Sequence, residues 1–189
     1  MQAPKRLSVK LFVKNPEVVE AEALVPVFQR WIQEKAIENE LLIDVADYKH
    51  VHHGPGIMLI AHEGDYAYQA NDGQVGLSYT LKQHDTATMD ETLALALARL
   101  NKAAELLHAE ESLNGIQFAL DTLQVTILDR LNYPNDGTLA SDVYQILLEY
   151  FSRLGVDASV AGANQGDPRE PVRFDITLSE SLEKASNVV

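Results

Sequence analysis

Four of the chain's six histidines lie between residues 50 and 62, at His50, His52, His53 and His62. Imidazole is the commonest metal ligand near neutral pH. On an extended backbone, residues two apart point the same way, so His50 and His52 can both address one ion. A third ligand has to come from another part of the chain, and the register of a hairpin decides whether His62 supplies it. If paired residue numbers sum to 110, Tyr48 faces His62, and His62 lies diagonal to His50 on one face, roughly 7–8 Å away. A slip of one residue moves His62 to the face of Asp47, Lys49 and His53. Asp44 and Glu63 add candidate oxygen ligands. The expected metal site is therefore His50, His52 and His62 around a divalent ion, and nitrogen and oxygen donors of this kind suit zinc, iron, manganese or nickel.

The same segment supports other chemistries. The run His50-Val51-His52-His53-Gly54-Pro55-Gly56 offers backbone N–H groups in a glycine-rich turn beside Lys49, a cradle for a carboxylate or phosphate. On that reading His53, Gly54 and Gly56 bind a ligand, with Asp44, Asp47 and Arg130 as further candidates. A histidine oriented by a nearby carboxylate is a base-and-orienter pair. No nucleophile accompanies it: cysteine is absent and no G-x-S-x-G elbow occurs. The plainest alternative is that Gly54-Pro55-Gly56 exists because a hairpin needs unusual backbone angles there. At Asp129-Arg130-Leu131-Asn132-Tyr133-Pro134-Asn135, either the loop orders Arg130 for binding, or its Asn and Asp residues simply lead into and cap the next helix.

These residues need elements to hold them. Leu7, Val9, Leu11 and Val13 alternate with Ser8, Lys10 and Phe12, a strand with one buried side. Phe12 on the polar side hints at an interface or a second covering layer. Leu24, Val27, Phe28, Trp31 and Ile32 follow helical spacing, with Pro26 in the first turn. Strands follow at 41–48 and 57–62, joined by the GPG turn. Both are apolar on two faces, so both are expected to lie centrally in the sheet. Residues 66–70 and 74–83 form two more strands about a turn at Asn71-Asp72-Gly73. Thr88 and Glu91 make a capping box for a long helix over about 89–110. Strands at 116–120 and 123–130 come next, then a helix over 139–154, with Tyr150 and Phe151 in the core or at a contact. Strands at 156–161 and 172–178 close the chain around a polar loop, and the tail from 179 to 189 is expected to be loose.

The order strand, Asn/Pro loop, helix, strand, strand occurs from Leu7 to His62 and again from Leu123 to Leu178. The fold expected is a single α+β domain with helices packed on one face of a mainly antiparallel or mixed sheet. A ferredoxin-like arrangement is the first choice and an open mixed sheet the alternative. The pseudo-repeated βαββ halves are about 7–83 and 116–178.

The chain of 189 residues carries a formal charge of −13. Residues 1–83 hold 8 Lys/Arg and 11 Asp/Glu, and residues 84–189 hold 7 and 17, so −10 of the charge lies in the second part. Such a surface disfavours a nucleic-acid partner. No apolar run approaches the roughly 20 residues of a membrane span. No secretory signal is visible at Met1–Arg6, and the lack of cysteine suits a reducing cytoplasm. A homodimer is the default partner.

The stretch 41–48 running into His50-Val51-His52-His53-Gly54-Pro55-Gly56 and ending at His62-Glu63-Gly64 resembles a group of uncharacterised bacterial proteins. So do Phe28-Gln29-Arg30-Trp31-Ile32-Gln33 and the loop from Asp129 to Asn135. The resemblance implies bacterial origin and a single domain spanning most of residues 7–178. It implies no activity and no catalytic residues. Two functions remain open: metal binding, with or without catalysis, at the histidine turn, or a non-enzymatic small-ligand, anion or protein-interaction module in which the turn is structural.

Overall fold

The structure, a computed structural model, describes residues 1–52, 54–69, 74–162, 167 and 169–181. In chain order the elements are β1 (Leu7–Val13), α1 (Leu24–Glu34), β2 (Leu42–Tyr48), β3 (Gly56–Ala61), β4 (Gly64–Gln69), β5 (Gly76–Leu81), α2 (Met89–His108), β6 (Phe118–Ile127), α3 (Gly137–Arg153), β7 (Ala158–Gly162) and β8 (Val172–Leu178). The strands make one sheet in the order β2-β3-β4-β5-β1-β6-β8-β7, and every neighbouring pair is antiparallel. The α+β class and the three helices agree with the sequence reading.

Chain handedness explains why the helices share a side. Counting along the antiparallel ladder, β1 runs parallel to β2, and β6 runs parallel to β7. Crossovers between parallel strands of one sheet favour the right-handed sense, and α1 and α3 lie in two such crossovers. Since β1 and β6 are antiparallel and the crossovers leave in opposite directions, both helices land on one face. There α2 lies against β1 and β5. Leu7, Val9 and Leu11 are fully buried beneath it, within a core that includes residues of all three helices. Ser8, Lys10 and Phe12, on the opposite side of β1, are only half-buried.

Local signals set the helices. Leu24, Val27, Phe28 and Trp31 are the buried residues of α1, at the spacing that places them on one stripe. Lys35 ends the helix in a left-handed conformation at φ 54°. At the start of α2, the backbone N–H of Glu91 donates to Thr88 Oγ1, and the N–H of Thr88 donates to Glu91 Oε2, both at 3.3 Å. The capping box therefore forms as read.

Two expectations change. Residues 118–127 form one unbroken strand rather than two, because β6 pairs with β1 on one side and β8 on the other. And β2 lies at the edge of the sheet, not inside it, leaving Leu41 and Ile43 exposed. Its apolar residues on both sides therefore do not mark a central strand. Edge protection is built in: the register shifts between Leu42 and Asp44, and Asp44 Oδ1 accepts from the Val45 N–H at 2.8 Å. The expected turn at Asn71-Asp72-Gly73, residues 163–166 and 168 of the loop 162–171, and the tail beyond 181 lie outside the described residues. Among the described residues, no helix is long and apolar enough to cross a membrane.

Candidate functional site

The β2–β3 hairpin carries the histidine segment, and its register decides what that segment can do. Tyr48 pairs with Gly56, Asp47 with Ile57 and Ala46 with Met58. Partner numbers thus sum to 104 in this stretch, not to 110. The His62 N–H donates to the Leu41 carbonyl at 2.9 Å, which places His62 at the far end of β2 from the turn. Six residues of strand separate these ends, roughly 20 Å. His50 and His52 sit in a succession of turns, where the Val51 N–H donates to Tyr48 O and the Gly54 N–H to Val51 O. The two-residue period of an extended chain does not apply there. The structure therefore keeps His62 away from His50 and His52, correcting the expected convergence. All three are exposed. His53 lies outside the described residues. Among the described residues, no group of three or more His, Asp or Glu side chains is placed to hold a metal ion.

The glycines of the turn have a steric reason to be there. Gly56 adopts φ +75°, and a Cβ added to it would stand 2.1 Å from the Tyr68 carbonyl oxygen of β4. A Cβ on Gly54 would stand 2.8 Å from the Tyr48 carbonyl oxygen. Both glycines are buried by this close backbone packing. The acidic candidates are likewise engaged locally. Asp44 holds the Val45 N–H, Asp47 Oδ1 accepts from the Lys49 N–H at 3.0 Å, and Lys49 makes an ion pair with Glu22. His84 and His108 each contact a backbone carbonyl, of Pro4 and Ile116.

At the second loop the organiser is Asp129, not Arg130. Asp129 accepts from the Lys5 N–H at 3.0 Å and from Asn132 Nδ2 at 2.9 Å. Burial pushes its carboxyl upward, but the bonds from Asn132 and Lys5 outweigh that and hold it below the usual carboxylate range. Asp136 Oδ1 takes the Leu139 N–H at 2.9 Å and so caps α3. Arg130 is exposed and its guanidinium donates to the Arg169 carbonyl. These bonds follow the plainer of the two readings of the loop.

One buried ionisable network was not singled out in the sequence reading. Glu40 is buried beneath β4 and β5, where its carboxylate accepts from Tyr79 Oη at 3.0 Å, Gly64 N at 3.2 Å and Tyr66 Oη at 3.4 Å. Arg99 Nε of α2 approaches it to 3.2 Å, and Arg99 Nη2 also reaches Glu63 at 3.0 Å. Arg99 further donates to the carbonyls of Glu38 and Asn39, tying the segment before β2 to α2. Burial raises the Glu40 carboxyl above its usual value, against the bond from Tyr79 and the charge of Arg99. Burial raises both tyrosine hydroxyls as well. With the carboxylate hydrogen-bonded from three sides and shut from solvent, this network joins loop, sheet and helix.

What remains exposed near the hairpin is apolar. Of the large hydrophobic side chains that stand out from the described surface, Leu41 (65%), Ile43 (53%), Val51 (41%) and Tyr48 (40%) fall on β2 and its two ends. Met58 and Ile60, half-buried on the helix-free face of β3, pair with Ala46 and Asp44 and extend the strip. Compared with known proteins, the chain matches no family model, and no curated protein or solved structure matches it.

Proposed function

We propose that this chain is a non-enzymatic protein-interaction module that works through the apolar strip along β2 and β3, and that its histidine turn is structural. The observation that carries this is the concentration of exposed Leu41, Ile43, Tyr48 and Val51 on one edge strand and its two ends. Exposed apolar side chains gathered in one place mark interaction surfaces, whereas scattered ones need no explanation. The turn's glycines are accounted for by backbone packing, and the histidines by their place in an exposed connection. The buried Glu40 network supports the same reading, because a carboxylate closed off from solvent holds elements together and meets no substrate.

The test selects peptides from a random displayed library on the untagged protein. Selected peptides are expected to bind the His50→Ala/His52→Ala variant as well as the wild type, and to lose binding to Leu41→Ser/Ile43→Ser. Peptides indifferent to the strip variant overturn the reading. So does stoichiometric metal in the untagged wild-type protein that disappears in the double histidine variant.

The fold itself supports a finer reading of its origin. Within 7–81 and within 118–178, a helix leads from a central strand to an edge strand, and the last strand returns beside the first, β5 against β1 and β8 against β6. The second unit, β6-α3-β7-β8, has the split β-α-β form of a ferredoxin-like half. We read the first unit as the same plan, lengthened by a hairpin.

A further inference from the structure

The strip's own face says what kind of partner it takes, an inference that rests on the reading of the chain as an interaction module. On the helix-free side Ala46 pairs with Met58 and Asp44 with Ile60, and Leu41, Ile43 and Tyr48 stand exposed around them. The other acidic residues nearby are turned away or paired. Asp47 pairs with Ile57, which is fully buried on the helix side, so Asp47 belongs to that side. Glu40 and Glu63 meet Arg99, and Asp65 meets Lys82 at 2.6 Å. Among the described residues, this leaves Asp44 as the acidic charge on the strip itself. A nearly neutral apolar surface can meet its own copy without setting charge against like charge. We infer that the strip docks a second copy of this chain, face to face about a twofold axis near Ala46.

Area and pattern both fit that occupant. Strand addition along β2 is opposed, because Asp44 already holds the Val45 N–H and the register shift at residues 42–44 disrupts the edge. The contact is therefore made through side chains. The exposed fractions of Leu41, Ile43, Tyr48 and Val51 amount to about two fully exposed side chains, roughly 400 Å² of mostly apolar surface. Met58, Ile60 and Ala46 bring this toward the roughly 500 Å² of apolar area in each half of a standard homodimer interface. A twofold near Ala46 lays the two strips antiparallel, so the Leu41–Ile43 end of each copy meets the Tyr48–Val51 end of the other. Small Ala46 and pliant Met58, paired with each other, sit near the axis, where the faces come closest. Each Asp44 then lies opposite Tyr48 of the second copy, whose hydroxyl can donate to its Oδ2. The two Asp44 carboxylates stand about 13 Å apart along the strands, beyond the screening length of about 8–10 Å.

Sedimentation equilibrium of the untagged protein from about 1 to 300 µM tests this, the range in which interfaces of this size begin to hold. The wild type is expected to dimerise, and Leu41→Ser/Ile43→Ser to stay monomeric with an unchanged far-UV circular dichroism spectrum. Two further variants read the axis. Tyr48→Lys and Tyr48→Asp lose the same ring but set opposite charges against Asp44 of the second copy. Tyr48→Lys is expected to dimerise about five- to hundredfold more tightly than Tyr48→Asp, the scale of two exposed pairs changing from repulsion to attraction. The difference should shrink at high salt and in the Asp44→Asn background, where asparagine keeps the oxygen that takes the Val45 N–H. A wild type that remains monomeric overturns the second copy, as does a dimer indifferent to the serine variant. Equal dimerisation of Tyr48→Lys and Tyr48→Asp overturns the axis near Ala46, and with it the inference. The library selection above judges the strip separately. Selected peptides that need Leu41 and Ile43 on a monomeric wild type leave the interaction module standing and sink only the second copy.

Discussion

Replacing Gly56 by alanine separates two reasons a glycine can be required. Its φ of +75° costs any L-residue about 1–2 kcal/mol. The added Cβ must also fit 2.1 Å from the Tyr68 carbonyl oxygen, backbone of a strand paired on both sides. That oxygen cannot swing away as a side chain would, so the strand or the turn has to shift, a strain of about 1–3 kcal/mol. The total is about 2–5 kcal/mol. Gly115 supplies the control. It has φ +74°, but nothing lies within 4 Å of its added Cβ, so Gly115→Ala carries only the backbone cost of about 1–2 kcal/mol. Urea denaturation followed by far-UV circular dichroism measures both. Gly56→Ala is expected to lose about 1–3 kcal/mol more than Gly115→Ala, with an unchanged dependence on urea. Equal losses would refute the reasoning, and with it the claim that packing against β4 explains the glycine of the histidine turn.

The Glu40 network gives a second expectation. Arg99→Met leaves a buried carboxylate without its cation and should cost about 3–5 kcal/mol, and adding Glu40→Gln should recover part of the loss; a double variant no better than the single one would contradict the pairing. Two pH dependences follow with opposite signs. The folded Glu40 carboxyl lies above 4.5, so its ionisation costs stability. The stability of the wild type relative to Glu40→Gln should be greatest below pH 4.5 and fall as pH rises through the folded value. The folded Asp129 carboxyl lies below 3.8, so the advantage of the wild type over Asp129→Asn should be present above about pH 4 and fade as pH drops through the folded value. Denaturation series across pH check both, and a slope of the wrong sign in either would reject the assigned cause.

The features legible in the sequence were those set by near neighbours. Alternation along Leu7–Val13, the stripe of α1 and the Thr88/Glu91 box each depend on residues within a few positions, and each forms. Hairpin register depends on a bulge at 42–44 and on the approach of Tyr68, which no local pattern announces. Hence the pairing of Tyr48 fell on Gly56, and His62 went to the far end of the strand. The apolar residues on both sides of β2 resembled the pattern of a buried central strand, yet at a sheet edge the same pattern leaves Leu41 and Ile43 in solvent. The Glu40 network is assembled from residues up to 59 positions apart and has no sequence motif. One signal for it did exist: Arg99 interrupts the apolar run Leu93–Ala98 on α2, beside Leu100, and a charge so close to a buried stripe needs a partner.

The central claim is that this chain acts through β2 and β3. Methyl-labelled protein titrated with a peptide selected on it tests the claim most directly by nuclear magnetic resonance. The account predicts shifts at Leu41, Ile43, Val51, Met58 and Ile60, and none at Leu131 or Val160. Shifts centred on Leu131, Val160 or the helices, with the methyl groups of β2 and β3 unmoved, would contradict it.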